Sequence, residues 1–166
     1  MTKSDALARR ETERDAVLLA LTNQVPYNRF LGVQFDRLGD ELTARLPYQE
    51  MHIGNPFLPA IHGGVTGAFL EITALTQLGW DMCWAIMEEG GDAADDLFAG
   101  TFPAMPKTID ITIDYLRSGR PRETYARANV QKAGRRVANL SVEAWQDNRD
   151  RPIAVLRGNF LMPGTS

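Results

Sequence analysis

The sequence predicts an α+β domain in which one long buried helix lies against a face of a mostly antiparallel sheet. Three observations carry this. From Gly63 to about Met87, apolar residues Val65, Ala68, Phe69, Ile72, Leu75, Leu78, Met82 and Ile86 recur at helical spacing. After residue 107, four β-type runs follow one another with short turns between them. The 166-residue length fits one domain and leaves little room for a second.

The elements follow in order. Ser4–Asn23 reads as a surface helix with sparse apolar positions at Leu7, Val17, Leu18 and Leu21. Pro26 ends it, because proline disfavours helix at the residue before it. Val33–Arg37 and Glu41–Leu46 alternate around Gly39-Asp40 and predict a β-hairpin. Gln49–Ile61, with Gly54, Asn55, Pro56 and Pro59, predicts a loop. The long helix comes next. Glu88–Pro106, rich in glycine, alanine and acids, predicts a second, longer loop. In Thr108–Leu116, the inward set Ile109, Ile111, Ile113 and Tyr115 alternates with Thr108, Asp110, Thr112 and Asp114. Strands over Thr124–Gln131, Val137–Trp145 and Ile153–Leu161 complete a meander through turns at Gly134 and Asp147–Asp150.

Composition narrows the function. The chain is 44% hydrophobic and 23% charged, as in an ordinary soluble globular protein. Its apolar runs are too short to span a bilayer, and Met1–Arg14 is charged rather than apolar, unlike a signal peptide. Cys83 is the only cysteine, so no intrachain disulfide and no cysteine-rich metal site is expected, and a reducing, cytoplasmic home is the simplest reading. A net charge of −3 argues against bulk attraction to nucleic acid or anionic membrane.

Glu71 stands out within the long helix. Its neighbours three and four positions away are Gly67, Ala68, Ala74 and Leu75, a small and apolar patch. Glutamate is rarely buried unless paired or functional. Desolvation disfavours its charged form, which suits a general base working near neutral pH. A glutamate at the helix edge with its head in water is the competing reading. His62-Gly63-Gly64 stands where the loop becomes the helix. The first helical amides lack intrahelical acceptors and sit at the positive end of the dipole, so they can hold an oxyanion. A glycine turn with a capping role is the plainer alternative. Asn55, in the preceding loop, can orient a water or a carbonyl, or cap its own turn. His52 has no evident partner and is assigned to the surface.

Together, Asn55-Pro56-Phe57-Leu58-Pro59-Ala60-Ile61-His62-Gly63-Gly64, with an acid nine positions after the histidine at Glu71, resembles the signature of PaaI-like (phenylacetate-degradation) hotdog thioesterases. The resemblance runs from about Phe30 to Leu161. It implies a hotdog fold: a five- to six-stranded antiparallel sheet wrapped around one long central helix. Residues 25–166 would form that domain and 1–24 an N-terminal helical extension. It also implies hydrolysis of acyl-CoA thioesters without a metal or other cofactor, coenzyme A being part of the substrate. Family members form homodimers with two sites at the subunit interface, often paired into tetramers. By resemblance, Glu71 matches the catalytic carboxylate, as general base or nucleophile. The Gly63 amide, aided by Gly64, matches the group that polarises the thioester carbonyl. His62 and Asn55 match residues lining the carbonyl and water positions, and Phe57 is a candidate substrate contact. The Asn55-to-His62 segment is about one residue longer than the family pattern.

Arg117, Arg120, Arg122, Lys132, Arg135 and Arg136 fall in the meander turns, where guanidinium groups suit the phosphates of CoA. Arg117 and Arg135 are the leading candidates, against the plain reading of solvated turn residues. In the 88–106 segment, Leu97, Phe98, Phe102 and Met105 are candidates to cover an acyl pocket. Two other readings compete. A hotdog hydratase or dehydratase would carry histidine two positions after Pro56, where this chain has Leu58. A non-catalytic acyl-CoA-binding sensor could dispense with the acid and usually carries a DNA-binding segment, for which the N-terminal helix is too short. A purely structural role would leave Glu71 unexplained.

Overall fold

The computed structural model describes residues 3–164. In chain order the elements are α1 (Lys3–Asn23), α2 (Pro26–Leu31), β1 (Gln34–Leu38), β2 (Glu41–Leu46), β3 (Ile53–Asn55), β4 (Ala60–Ile61), α3 (Gly63–Glu89), α4 (Asp92–Phe98), β5 (Lys107–Tyr115), β6 (Thr124–Ala133), β7 (Val137–Trp145) and β8 (Ala154–Leu161). Six strands form one antiparallel sheet in the order β1-β2-β6-β7-β8-β5. α3 packs across it, touching β2, β5, β6, β7 and β8. This is the hotdog fold, with the long central helix and the six-stranded sheet expected.

The core lies between α3 and the sheet. Phe69, Leu70, Ala74 and Leu78 of α3 are buried against Ala126, Leu140, Val142, Leu156 and Phe160. A second cluster joins α1 to the far half of α3: Val17, Leu18 and Leu21 pack with Trp80, Cys83 and Leu97. The buried residues of α1 therefore occupy its C-terminal half, while Leu7 stays exposed. Burial pushes the Cys83 thiol up to about 11, so it is an inert packing group.

Four details differ from the sequence expectations. α1 stops at Asn23, before Pro26, as expected, but Pro26 also opens the short helix α2 at its first turn, where a missing N–H costs nothing. The 49–61 segment is not a plain loop but holds a 3₁₀ turn (Glu50–His52) and the small β3–β4 hairpin. The 88–106 segment contains α4, which buries Ala94 and Leu97 at helical spacing, Leu97 within the second cluster. His52 is not a surface residue: it is wholly buried.

Candidate active site

The site lies along the seam between α3 and β5. The two elements run in opposite directions, and contacts mark the path. Tyr115 Oη donates to the Gly63 carbonyl at 2.8 Å. A Cβ on Gly67 would lie 3.1 Å from Ile113 Cδ1, so glycine is what lets α3 approach β5 this closely. One helical turn further, Thr108 Oγ1 donates to Glu71 Oε1 at 2.6 Å. Beyond it Leu75, Ile72, Met105 and Pro106 line an apolar recess.

Glu71 is half-buried, with its carboxylate held by a hydroxyl and no cation within ion-pair distance among the described residues. Strict alternation from Ile111 and Ile113 would turn Thr108 away from the helix. A β-bulge between Thr108 and Asp110 reverses this. Thr108 pairs with Phe160, which is fully buried in the core, and directly opposed residues share a face. Ile109, expected among the inward residues, becomes the bulged residue and is 54% exposed. Thr108 is thus a candidate site residue that strict alternation places on the wrong face.

The entrance to α3 is built by two histidines. His62 is the N-cap, and its Nδ1 accepts from the Gly64 amide at 2.8 Å. That bond occupies Gly64, so the Gly63 amide is the one left to meet an external acceptor. The His62 backbone amide donates to the carbonyl of buried His52 at 2.8 Å. His52 Nδ1 accepts from the Gln49 amide at 3.3 Å, while its Nε2 has no well-formed partner. Burial holds the His52 imidazole below the ordinary histidine range, and a backbone contact to Leu31 offsets only part of this. Gly54 completes the packing: a Cβ there would come within 2.7 Å of His62 Cα.

The other expected residues are dispersed. Asn55 Oδ1 accepts from the amides of Phe57 and Leu58 at 3.0 and 3.2 Å, so the side chain caps its own turn. Phe57 stands 93% exposed on that turn. Arg117 is exposed and donates to the Pro152 carbonyl at 2.8 Å, in a groove of about 290 Å³ shared with Arg120 and Arg151. Arg135 lies in the β6–β7 turn, at the opposite end of the sheet. Of the residues expected to cover an acyl pocket, Leu97 and Phe102 pack into the second cluster, Phe98 is exposed, and Met105 lines the recess beyond Glu71. Among the described residues no group of three or more His, Cys, Asp and Glu is placed to hold a metal ion. None of their helices is long and apolar enough to cross a membrane.

A hotdog scaffold with a half-buried carboxylate, Glu71, in the N-terminal half of the central helix and a glycine-rich helix start defines a class of thioester-processing proteins. Comparison with known proteins agrees. The thioesterase superfamily model matches residues 58–153, and the chain belongs to that family. A relative from Escherichia coli K12, named as the medium/long-chain acyl-CoA thioesterase YigI, is 31% identical over 121 residues, covering 72% of this chain and 74% of its own. A protein of Chromobacterium violaceum of known structure is 30% identical with a TM-score of 0.64, covering 96% of this chain and 99% of its own. The E. coli PaaI protein from the phenylacetic acid degradation operon shares the fold at 15% identity and a TM-score of 0.67, covering 93% of this chain and 96% of its own.

Proposed function

We propose that this protein hydrolyses acyl-CoA thioesters to a carboxylic acid and free CoA, with Glu71 as the carboxylate that activates water or attacks the carbonyl itself. The observation that carries this reading is the Thr108–Glu71 hydrogen bond. It fixes the Glu71 carboxylate, whose helical neighbours Gly67, Ala68, Ala74 and Leu75 are small or apolar, while leaving it open enough to meet substrate. The relatives' thioesterase activity supports the reaction class. In the general-base form, Glu71 takes a proton from water as the oxygen bonds to the thioester carbon, and the thiolate leaves and is protonated. The Gly63 amide stabilises the oxyanion that forms.

These two groups do not reach the same carbonyl within one chain. Gly63 and Glu71 are eight residues apart on α3, about 12 Å along the axis. A near-attack geometry needs reacting groups within about 3.5 Å. A two-fold dimer removes the difficulty. Among the described residues β5 is an edge strand bonded only to β8, with Ile109 and Tyr115 exposed along it and Leu116 exposed just after it. Pairing β5 with its copy in antiparallel fashion sets the Gly63 end of one subunit beside the Glu71 region of the other. The other edge, β1, is flanked by α1 through ion pairs from Arg37 to Glu11 and Asp15. The homodimer is therefore the working unit. A further tetramer would form across a polar outer sheet face that carries Arg45–Glu123, Arg157–Asp114 and the Asn139–Asn159–Asp110 chain.

Glu71→Gln tests the reading. It should cost at least about 100-fold in kcat with the fold and dimer intact. Release of CoA is followed with a thiol reagent and mass by sedimentation. More than a tenth of wild-type activity in the variant, or a fully active monomer at micromolar concentration, refutes it.

A further inference from the structure

The recess beyond Glu71 has a volume of about 160 Å³ and opens at Val25, which is 42% exposed. Its apolar lining comes from three places: Leu21 and Val25 at the α1–α2 corner, Ile72 and Leu75 on α3, and Met105-Pro106 before β5. Resting on the thioesterase reading above, we infer that this recess is the acyl-chain site. Its walls, supplied in part by the N-terminal helices, select an aliphatic chain of about ten carbons.

The argument starts from alignment. Leu75 is one turn past Glu71 on α3, and Pro106 is two residues before Thr108 on the approach to β5. The pair Leu75–Pro106 therefore continues the pair Glu71–Thr108 along the same seam. A chain whose carbonyl sits at Glu71 runs directly into the recess.

Length follows from dimensions. One turn is about 6 Å along the helix for four residues. An extended chain covers about 3.6 Å per three bonds, so roughly five carbons bridge that gap. An apolar cavity of about 150 Å³ accepts a benzene-sized guest, so the recess takes roughly six carbons. Each methylene buried there should raise kcat/KM roughly fourfold. A larger groove of about 730 Å³, between α1 and β1–β2, mixes Leu18, Leu19 and Phe35 with Asp15, Arg37 and Arg45, and neither Glu71 nor Thr108 lines it, so a chain whose carbonyl sits at Glu71 does not enter it.

Met105 sets the floor. Its Sδ would lie 3.0 Å from a Cβ on Gly79, which places the thioether over the helix between Leu21 and the seam. Shortening it lengthens the recess; bulk at Val25 or Leu75 fills it.

The test is a kcat/KM profile over butanoyl-, hexanoyl-, octanoyl-, decanoyl-, dodecanoyl- and hexadecanoyl-CoA. Wild type should peak near decanoyl. Val25→Trp and Leu75→Phe should each lower the decanoyl-to-butanoyl ratio at least tenfold, and Met105→Ala should move the peak to longer chains. Melting temperatures identify any variant that fails to fold, and the opposite directions exclude a general loss. Ratios within twofold of wild type in all three folded variants overturn the inference. Binding keeps this separate from the reaction. Titrated into Glu71→Gln, decanoyl-CoA should bind at least tenfold more tightly than acetyl-CoA, and adding Val25→Trp should abolish that advantage. An advantage that survives Val25→Trp overturns the recess assignment even if hydrolysis is confirmed. An advantage that Val25→Trp abolishes supports it even if wild type hydrolyses none of the series.

Discussion

Replacing Thr108 by valine removes one hydroxyl and keeps the shape of the side chain. The lost hydrogen bond is 2.6 Å long and runs to a carboxylate. Hydrogen bonds to charged groups contribute about 1.5–3 kcal/mol. If that bond holds Glu71 in its reactive position, kcat should fall roughly 10- to 150-fold. KM should move by less than about twofold, because Thr108 contacts the carboxylate and not the bulk of the substrate. Thr108→Ser keeps the donor and should recover most of the loss, which a purely structural role for the bulge would not produce. The assay is steady-state thiol release with decanoyl-CoA, alongside thermal melts to show that the bulge survives. A Thr108→Val enzyme within threefold of wild-type kcat, in a protein that Glu71→Gln silences, would show that Glu71 needs no positioning partner.

Two other outcomes follow from the structure. His52 is buried with its imidazole held below its ordinary value, so between that depressed value and about pH 6.5 the unfolded chain binds more protons than the folded one. Stability should therefore be complete above about pH 6.5 and fall as pH drops, by no more than about 1.4 kcal/mol per pH unit; urea midpoints from pH 8 to 5 should show this slope, and His52→Asn, which keeps an acceptor for the Gln49 amide, should flatten it. Arg117→Ala and Arg135→Ala should each raise KM for acyl-CoA up to about fivefold, less at high salt, with kcat nearly unchanged; loss of kcat at constant KM would assign these arginines to the subunit interface instead.

What the sequence displayed was whatever depends on local periodicity. The helix around Phe69 and Leu70 and the alternation of Val137–Trp145 are set by which face must be buried, and one strand or helix suffices to read that. The Asn55-to-Glu71 motif was legible because its spacing is a property of one contiguous segment. What escaped depends on partners distant in sequence. Thr108 faces Glu71 only because β5 slips by one residue against β8, and nothing in 107–115 alone announces the slip. His52 is buried only because the chain from Gln49 to His62 folds back on itself, so that the His62 amide meets the His52 carbonyl. α4 did leave a trace, the three-residue spacing of Ala94 and Leu97, but acids and glycines around it obscured the pattern.

The same distinction explains why the expected site residues are scattered within one chain. Gly63 and Arg117 lie at the Tyr115 end of β5. Arg135 lies at the other end, since Lys107 and Val137 both pair with Leu161. The nine residues of β7 between these ends span roughly 30 Å. No single chain can therefore gather both arginines on one nucleotide. An antiparallel pairing of β5 with its copy reverses the ends, so that Arg117 of one subunit shares an end with Arg135 of the other. In the proposed dimer, the operation that would bring Gly63 to the partner subunit's Glu71 would also bring together the two basic turns. A carbonyl held across that proposed interface and a nucleotide held across it would follow from one symmetry axis. Disrupting the β5 edge should cost turnover and CoA affinity together.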